Sequence, residues 1–408
     1  MRIAFFHPAF LKVGGAEILA ATQMQHLVHE GAQVRLVTLA FDALRWGPRM
    51  PGIEVVEVPK RHWTDLISWS RTAKVRQRGA RAAVHLDGFD AILAHNYPCS
   101  AMLGAADPKG FKVWQCNEPP RGLHLREANP ICSARVEKGV TDSPDKATRI
   151  FKEQLAAFDV LVGKGGRYAS RKAQDLQAAS NLDRIYAISE FSRDNARRIY
   201  GRCEEEVVYP IVRFPEGGLA RQGLDRSGLH VLIHSRLETL KNIDTAIRGF
   251  ARFAASHPGA RLHVVGDGPE REALVALAAD LLPTGTSTFH GYLSDDALRR
   301  VYERCDVFTL LTLDEPFGMV YPEAAAKGLL LVGPDHGGPF EILEGGRLGW
   351  CLDPFDPEAL ASALGEIWSL SDAEADRLRE EADRSCRTRF SEEVIGPQLK
   401  RMLLERRG

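Results

Sequence analysis

Residues 307–333 read VFTLLTLDEPFGMVYPEAAAKGLLLVG. The segment opens with an apolar run over 307–312, which predicts a buried β-strand. A loop that carries Glu315 follows, then a helical run over 322–327 that ends at Gly328, and then a second apolar strand over 329–333. Two neighbouring parallel strands need a crossover connection of this kind, so the segment predicts a parallel sheet covered by helices.

The same alternation extends outward along the whole chain. Strands are predicted over 230–234, 261–265 and 287–290 in the second half, and over 3–6, 34–38, 53–58, 91–94, 113–116 and 184–188 in the first half. Between the halves, the stretch before residue 229 is rich in Gly, Pro and charge, which is typical of a linker. We therefore expect an α/β protein with two doubly wound domains at 1–210 and 229–385. We expect a linker at 211–228 and a C-terminal helix at 386–408 that packs back on the first domain.

The overall composition narrows the class of protein. The chain has 408 residues, 44% hydrophobic and 26% charged, proportions that exclude a disordered, collagen-like or coiled-coil protein. Its net charge is −1, whereas a nucleic-acid-binding protein usually carries a basic excess, so we expect no nucleic acid partner. The seven cysteines include no CxxC pair, which indicates reduced thiols and a cytoplasmic location.

Charged residues follow two of the predicted strands in the second half. Arg236 and Lys241 come directly after strand 230–234, and Glu315 and Glu323 follow strand 307–312. Open parallel sheets bind ligands at the carboxyl ends of their strands. Two cations can clamp a diphosphate there, and carboxylates accept hydrogen bonds from sugar hydroxyls. Each pair taken alone is also compatible with ordinary surface charge at the start of a helix.

Three further loops of the second half lie at predicted strand ends. Gly266 and Gly268 belong to a GDGP turn, in which the backbone can approach a ligand closely. Leu293, in the GYLS segment 291–294, can present its backbone to a planar base, although Ser294 is equally a helix N-cap. The third loop contains the GGP segment 337–339.

Loops of the first half carry a second set of candidates. Two glycines open the first helix, where backbone N–H groups can meet a ligand. The segment WQCNEPPR at 114–121 follows another predicted strand. Ser189 can line a site, but a role as a helix N-cap is equally open. The candidates of this half are Gly15, His95, Asn96, Asn117, Arg121 and Ser189.

The order of these motifs along the chain resembles glycosyltransferase family 4. That resemblance covers nearly the whole chain and implies the GT-B fold, in which two Rossmann-like domains face a central cleft. It implies a retaining enzyme that moves a hexose from a nucleotide-diphosphate sugar to an acceptor hydroxyl. The first domain would bind the acceptor and the second the donor. No cofactor and no metal are expected.

The resemblance also implies roles for individual residues. Arg236 and Lys241 would hold the donor diphosphate, Glu315 the sugar hydroxyls and Glu323 the ribose. The remaining donor contacts would come from Gly15, Gly266, Gly268, Leu293, Phe317, Gly318, Met319 and Val320.

One position departs from the family pattern. Asn117 stands where a His is usual in the Cys-His-x-Pro-Pro-Arg stretch, beside the reacting sugar. We place it among the catalytic residues, as a group that orients substrate, with Arg236, Lys241 and Glu315. His95, Asn96, Arg121 and Ser189 are the acceptor-side candidates.

The substrates are only partly indicated. The resemblance favours GDP-mannose as donor, with a UDP-sugar as the second choice, and points to the synthesis of a cell-surface polysaccharide, a glycolipid or a related glycoconjugate. A GT-B nucleotide-sugar epimerase, and a protein that binds donor but has lost transfer activity, are also compatible with the sequence. The stretch from Lys60 to Arg81 is basic and amphipathic, and predicts either peripheral contact with anionic lipid at the inner face of the membrane or a solvated helix beside the acceptor.

Overall fold

The computed structural model of the chain describes residues 1–59, 71–138, 146–163, 166–216, 219 and 223–404. It divides into two compact units. The first unit comprises Met1–Asn129, Leu155–Ile211 and Glu392–Gly408, and the second comprises Pro130–Gln154 and Val212–Ser391.

The strands of the first unit are β1 Arg2–His7, β2 Gln33–Thr38, β3 Glu54–Glu57, β4 Ala91–His95, β5 Phe111–Cys116 and β6 Arg184–Ala187. Those of the second are β7 His230–His234, β8 Arg261–Val265, β9 Ser287–Gly291, β10 Val307–Thr309, β11 Leu330–Pro334 and β12 Trp350–Leu352.

Helices connect successive strands in both units. Among the described residues, the first ten are α1 Gly15–His29, α2 Ala43–Trp46, α3 Arg71–Leu86, α4 Cys99–Ala106, α5 Leu125–Ala128, α6 Pro130–Glu137, α7 Lys146–Gly163, α8 Arg167–Ser180, α9 Glu190–Tyr200 and α10 Ile243–Ser256. The others are α11 Arg271–Leu281, α12 Asp295–Arg304, α13 Val320–Ala325, α14 Gly337–Ile342, α15 Pro357–Ser369, α16 Asp372–Phe390 and α17 Glu392–Leu404.

The first sheet has the strand order β3-β2-β1-β4-β5-β6, and its strands pair in parallel. Its central strands are buried on both faces, which is why they read as nearly continuous apolar runs rather than as alternating ones. One core cluster packs the sheet against α1, and a second packs its other face against α3 and α4.

The second sheet has the order β12-β11-β10-β7-β8-β9, again with parallel pairing. Counted from the first strand of its own unit, this is the same doubly wound order as in the first sheet. Strand order therefore reverses between β1 and β4 in one unit and between β7 and β10 in the other. The predicted fold class, two Rossmann-like units, is confirmed.

Most of the predicted elements are present, and several bounds match to the residue. β7 and β8 have the predicted ends, and Ser294 is the predicted N-cap, since it caps α12 by accepting a hydrogen bond from the Ala297 N–H. The sequence patterns did not reveal β12, which has only three residues and therefore gives no periodic signal. The predicted strand over 307–312 ends at Thr309, and the chain beyond it turns into the loop that carries Glu315.

The division into units differs from the predicted domain bounds in two places before the C-terminal helix. Residues 130–154 belong to the second unit, although they lie in the middle of the stretch assigned to the first domain. Residues from Val212 onward also belong to the second unit, where the Val212 N–H donates to the Phe390 carbonyl at 2.9 Å. Sequence periodicity reports local structure and not which core a segment joins, so neither difference was visible beforehand.

The C-terminal helix packs on the first unit, as the predicted fold class requires. It begins at Glu392 rather than at residue 386, because α16 runs on to Phe390 within the second unit. The His26 ring contacts the Glu392 carboxylate at 2.8 Å. The apolar face of α17 joins the first core cluster through Ile395, Leu399, Met402 and Leu403.

The basic stretch proposed to touch lipid is only partly described. Residues 60–70 lie outside the described residues, and α3 begins at Arg71. Contact with anionic lipid therefore stays a prediction. Among the described residues, no helix combines the length and the apolar character needed to cross a bilayer.

Candidate functional site

The candidate site of the second unit lies where the strand order of its sheet reverses. The connections that leave neighbouring strands β7 and β10 run to opposite sides, so a crevice opens at the carboxyl ends of these two strands. Arg236 and Lys241 come from the loop after β7, and Glu315 comes from the loop after β10. The residues predicted to bind diphosphate and sugar thus meet at one edge of the sheet.

Lys241 and Glu315 are in direct contact. The Lys241 ammonium donates a hydrogen bond to Oε2 of Glu315, and the two side chains are 24% and 17% exposed. The Thr312 hydroxyl lies 3.2 Å from the same Oε2 and 3.1 Å from the Leu240 carbonyl oxygen. An ion pair that is mostly shielded from water interacts more strongly than one on the surface, because water screens it less.

Arg236, in the same loop as Lys241, has a more exposed side chain. Its guanidinium contacts the Glu238 carboxylate at 2.5 Å, and 52% of the Arg236 side chain is exposed. Arg236 and Lys241 thus each pair with a carboxylate, at the place where the sequence predicts a diphosphate.

The GDGP turn supports the loop that carries Arg236. The Leu237 N–H donates to the Asp267 carbonyl at 3.0 Å, which holds the two loops side by side. A Cβ at Gly266 would lie 1.9 Å from the Ser235 carbonyl oxygen, and one at Gly268 would lie 2.4 Å from that of Leu237. Both positions therefore require glycine for loop packing, and their predicted contact with the base stays a prediction.

The GGP segment supports the loop that carries Glu315 in the same way. The Gly338 N–H donates to the Glu315 carbonyl at 2.9 Å. A Cβ at Gly338 would lie 2.3 Å from the Phe317 Cα, so only glycine allows this approach. Phe317 is buried and packs edge-on against Phe390 of α16, with ring centroids 5.2 Å apart. The loop is thus held from two directions.

Glu323 lies in the first turn of α13. Burial raises the pKa of its carboxyl to about 7, and the opposing effect of the nearby Lys327 ammonium is smaller. A carboxyl with this pKa changes charge near neutral pH, which is uncommon for Glu. Gly318, with φ of 92°, turns the chain toward this helix, followed by Met319 as the N-cap and Val320 as the first helical residue. The predicted backbone contacts of this segment with sugar and phosphate stay predictions, as does the contact of Leu293 with the base.

The corresponding point of the first unit has different chemistry. His95 is fully buried at the end of β4, and its Nε2 lies 3.1 Å from the Gln23 side-chain oxygen and 3.2 Å from that of Gln115. Both neighbours are acceptors, so Nε2 carries the proton. Burial lowers the pKa of His95 to about 4, so the ring is neutral at pH 7. Gln115 continues this network by donating to the Val208 carbonyl at 2.9 Å.

The other first-unit candidates lie in loops of the same unit. Gly15 is the first residue of α1, and Asn96 adopts a left-handed backbone with φ of 42°. Arg121 pairs with the Glu118 carboxylate at 2.7 Å. Ser189 caps α9 by accepting from the Ser192 N–H at 3.0 Å, so the structure shows the cap role.

Asn117 lies close to that cap. The Ser192 hydroxyl donates to the Asn117 carbonyl at 2.6 Å, and the Asn117 side chain is buried. Its side-chain oxygen has no hydrogen-bond partner among the described residues. A buried acceptor without a partner is costly in a folded protein, and the predicted role of this residue toward a substrate stays a prediction.

Sequence reasoning missed two groups of residues. The sequence pattern predicts Thr312 only as the last residue of a strand, although a hydroxyl three residues before Glu315 is a usable signal. His124, Asp175 and Tyr200 form a buried network in which Asp175 Oδ2 lies 2.9 Å from the His124 Nε2 and 2.8 Å from the Tyr200 hydroxyl. Residues so far apart in the chain carry no local pattern that would connect them.

Comparisons with known proteins agree with this architecture. The family described as "Glycosyl transferases group 1" matches residues 220–385. Mannosylfructose-phosphate synthase of Agrobacterium fabrum is 38% identical over 254 residues, which make up 59% of this chain and 54% of that protein. The chain thus matches about half the length of this relative.

Two further comparisons cover nearly the whole chain. The crystal structure of HepE from Anabaena in complex with UDP and glucose superposes with a TM-score of 0.69 at 17% identity, over 97% of this chain and 98% of that one, which shows a shared fold. An uncharacterized glycosyltransferase from Methanocaldococcus jannaschii is 30% identical over 361 residues, 88% of this chain and 86% of that protein. With this match along its length and the family match across most of its second unit, the chain belongs to the group 1 glycosyltransferases.

Proposed function

We propose that the protein is a retaining glycosyltransferase that binds a nucleotide-diphosphate sugar in its second unit. The observation that carries the proposal is the contact of Lys241 with Glu315 at the switch point of the second sheet. The switch point of a sheet is the place where its strand order reverses, here between β7 and β10. A cation and a carboxylate held together at this point match the two halves of a sugar diphosphate. Arg236 supplies a second cation for the diphosphate, and Glu323 supplies the acceptor for the ribose hydroxyls.

Binding of the donor exchanges the partners of these charges. A diphosphate carries more negative charge than one carboxylate, so Lys241 and Arg236 turn from Glu315 and Glu238 to the phosphate oxygens. Glu315 then accepts hydrogen bonds from sugar hydroxyls, while the Thr312 hydroxyl keeps the carboxylate in place. The ion pair thus holds both side chains near their working positions before the donor arrives.

The reaction follows from the same arrangement. The bond between the anomeric carbon and the diphosphate oxygen breaks, and the oxygen keeps the electron pair. Arg236 and Lys241 stabilise the charge that develops on this leaving group, without a metal ion. The acceptor hydroxyl bonds to the anomeric carbon on the face from which the diphosphate departs, and its proton passes to a phosphate oxygen. Asn117 orients the reacting groups and takes up no proton.

The donor is a hexose on GDP or UDP. The resemblance to family 4 favours GDP-mannose, and a named relative is a mannosylfructose-phosphate synthase. The solved HepE complex contains UDP and glucose, which supports a UDP-sugar instead. The acceptor is a hydroxyl of a sugar, a lipid-linked saccharide or another small molecule bound by the first unit.

Thermal unfolding with a panel of nucleotides tests the donor site. We expect GDP or UDP and the matching nucleotide sugar to raise Tm in wild-type protein, because a ligand that binds only the folded state stabilises it. The Lys241→Ala variant should lose this shift, whereas Arg299→Ala, which removes a surface cation from α12, should keep it. Release of free sugar or of a glycoside from the matched donor then tests transfer. A Tm shift with no product would identify a binding protein instead, and no shift with any nucleotide would reject the donor site.

A further inference from the structure

Helix α6, Pro130–Glu137, is capped from a distant part of the chain. Asn129, which precedes the helix, is of a type that commonly caps helices, but its side-chain amide donates to the Leu125 carbonyl at 2.8 Å. The backbone N–H groups of Ile131 and Cys132 instead donate to the two carboxylate oxygens of Asp314, each at 3.1 Å. One side chain thus satisfies two of the N–H groups that a helix start leaves without partners.

Asp314 is the residue immediately before Glu315 in the loop after β10, which we call the donor loop. Its side chain is fully buried, and its backbone is left-handed with φ of 47°, a region that few residues other than glycine adopt. Its negative charge faces the positive end of the helix dipole, which adds to the two hydrogen bonds. The Asp314 N–H also points to Nε2 of His336 at 3.4 Å.

A second contact holds the other end of the helix. The Arg135 guanidinium lies over the Phe355 ring, with its central carbon 3.7 Å from the ring centroid. A cation stacked on an aromatic face is attracted to it. Helix α6 is therefore attached to the second unit at both ends, and one of the two attachments is the residue next to Glu315.

We infer that Asp314 is a positioning residue that couples the docking of helix α6 to the conformation of Glu315. Consecutive Cα atoms are fixed about 3.8 Å apart, so Asp314 cannot leave the helix without moving the start of the Glu315 loop. The Gly338 N–H, bonded to the Glu315 carbonyl, fixes the loop from the other side. Helix α6 and the GGP segment thus hold Glu315 between them, opposite Lys241.

The coupling acts in both directions, because linkage between two binding events is reciprocal. A donor sugar that fixes Glu315 also fixes helix α6, and a docked helix favours binding of the sugar. The nucleotide part of the donor does not depend on Asp314, because its proposed partners are Arg236, Lys241 and Glu323. This inference rests on the proposed function, since it assigns the sugar to Glu315.

Two substitutions separate the cap from the backbone strain. Asp314→Gly and Asp314→Asn both tolerate a left-handed backbone, but Gly removes both acceptor oxygens while Asn keeps one. Ser371→Ala is the matched control, because it removes the cap of α16 in the same unit and touches no part of the donor loop. Differences between the Gly variant and this control cannot come from the loss of a helix cap as such.

Alkylation of Cys132 reports the docking of the helix. This thiol is 3% exposed, and peptide mapping after iodoacetamide treatment separates it from the other six cysteines. We expect Asp314→Gly to raise the alkylation rate of Cys132 roughly tenfold or more, because the helix start loses a buried charged acceptor. Asp314→Asn should fall between the Gly variant and wild type, and Ser371→Ala should match wild type. An unchanged rate in the Gly variant would overturn the docking role.

Ligand binding then tests the coupling. We expect Asp314→Gly to bind GDP and UDP as wild type does, and to lose the additional affinity that wild type has for GDP-mannose or UDP-glucose. In wild type the matched nucleotide sugar should slow alkylation of Cys132, and in the Gly variant it should not. Equal loss of affinity for nucleotide and nucleotide sugar would overturn the coupling. If wild type binds no nucleotide, the proposed function fails and takes the coupling with it, while the alkylation rates still report whether Asp314 docks the helix.

Discussion

The two sheets have the same strand order, yet the side chains at their switch points differ in kind. At the second sheet, Lys241 and Glu315 are charged, paired and partly open to solvent. At the first sheet, His95 and Gln115 are neutral, buried and hydrogen-bonded into the core. The topology provides a crevice in each case, but only the second presents the charged side chains that our proposal assigns to an anionic ligand. The first consists of neutral side chains that are buried and hydrogen-bonded to one another.

Removing a cation of the second switch point should produce the largest effect. We expect Arg236→Ala and Lys241→Ala each to lower the turnover of the matched donor about 10²–10³-fold, because each removes a charged group aimed at the leaving diphosphate. Arg299→Ala, a surface cation of the same unit, should retain wild-type turnover. Initial rates with the three variants decide the matter, and near-normal turnover in both site variants would reject the site.

The two carboxylates proposed to bind the donor, Glu315 and Glu323, should differ in their effect on nucleotide affinity. We expect Glu323→Ala to weaken GDP or UDP binding by about 10–100-fold, because a charged hydrogen-bond partner of the ribose is lost. Glu315→Ala should leave nucleotide binding intact or strengthen it, since Lys241 no longer has a competing carboxylate. Titration calorimetry with the free diphosphate measures both. Equal weakening would show that the assignment of ribose and sugar is wrong.

The first switch point should respond in stability instead of binding. We expect His95→Phe to lower the free energy of unfolding at pH 7 by about 1–3 kcal/mol, because the Gln23 side-chain oxygen loses a buried donor. Nucleotide affinity should not change. Denaturant unfolding and the nucleotide titration together test the claim. A variant of normal stability that loses transfer would instead support the acceptor-side role that the sequence suggested.

The same variant has a predicted pH signature. Burial lowers the pKa of His95 to about 4 in the folded chain, below the usual value of about 6.5. The unfolded chain therefore binds the extra proton first, and stability falls as pH decreases from about 6.5 toward 4. His95→Phe removes this proton uptake, so its stability should fall less steeply over that range, although His7, His234 and His263 titrate in the same direction.

The smallest expected effect concerns Glu323. With a carboxyl pKa of about 7, the side chain is half protonated at neutral pH, while ribose hydroxyls donate best to the carboxylate. Nucleotide affinity should therefore fall by at most about tenfold from pH 8 to pH 6. Glu323→Gln should retain only the change caused by the ligand's own phosphate, which titrates near pH 6. Identical pH profiles for the two proteins would remove Glu323 from the ribose site.

Sequence reasoning worked where structure is local and failed where it is not. β7 and β8 were predicted to the residue, because an apolar run marks their ends, and the N-cap Ser294 marked the start of α12. The contact between Lys241 and Glu315 could be anticipated as proximity, since both follow strands of one sheet. In the cap of α6, Asp314 contacts Ile131 and Cys132, which lie 183 and 182 positions away in the sequence. Nothing in either segment indicates the other.

Burial of side chains was the other limit. His95 at a strand end is compatible with a ligand-binding residue and with a core residue, and only its packing between Gln23 and Gln115 distinguishes them. The raised pKa of Glu323 likewise comes from its burial in the folded unit. The sequence pattern predicts the order of the elements and the edge of the sheet at which functional residues lie. Desolvation of a side chain depends instead on the packing of the assembled core.

The path of the chain through its two units has a consequence for biosynthesis. The core of the first unit includes Ile395, Leu399, Met402 and Leu403 of α17, which are made after every other described element of the molecule. The ribosome therefore releases the whole second unit before the first unit can complete its core. Until α17 has been synthesised, part of the apolar surface of the first sheet is uncovered. Truncation anywhere before residue 392 leaves that surface permanently exposed.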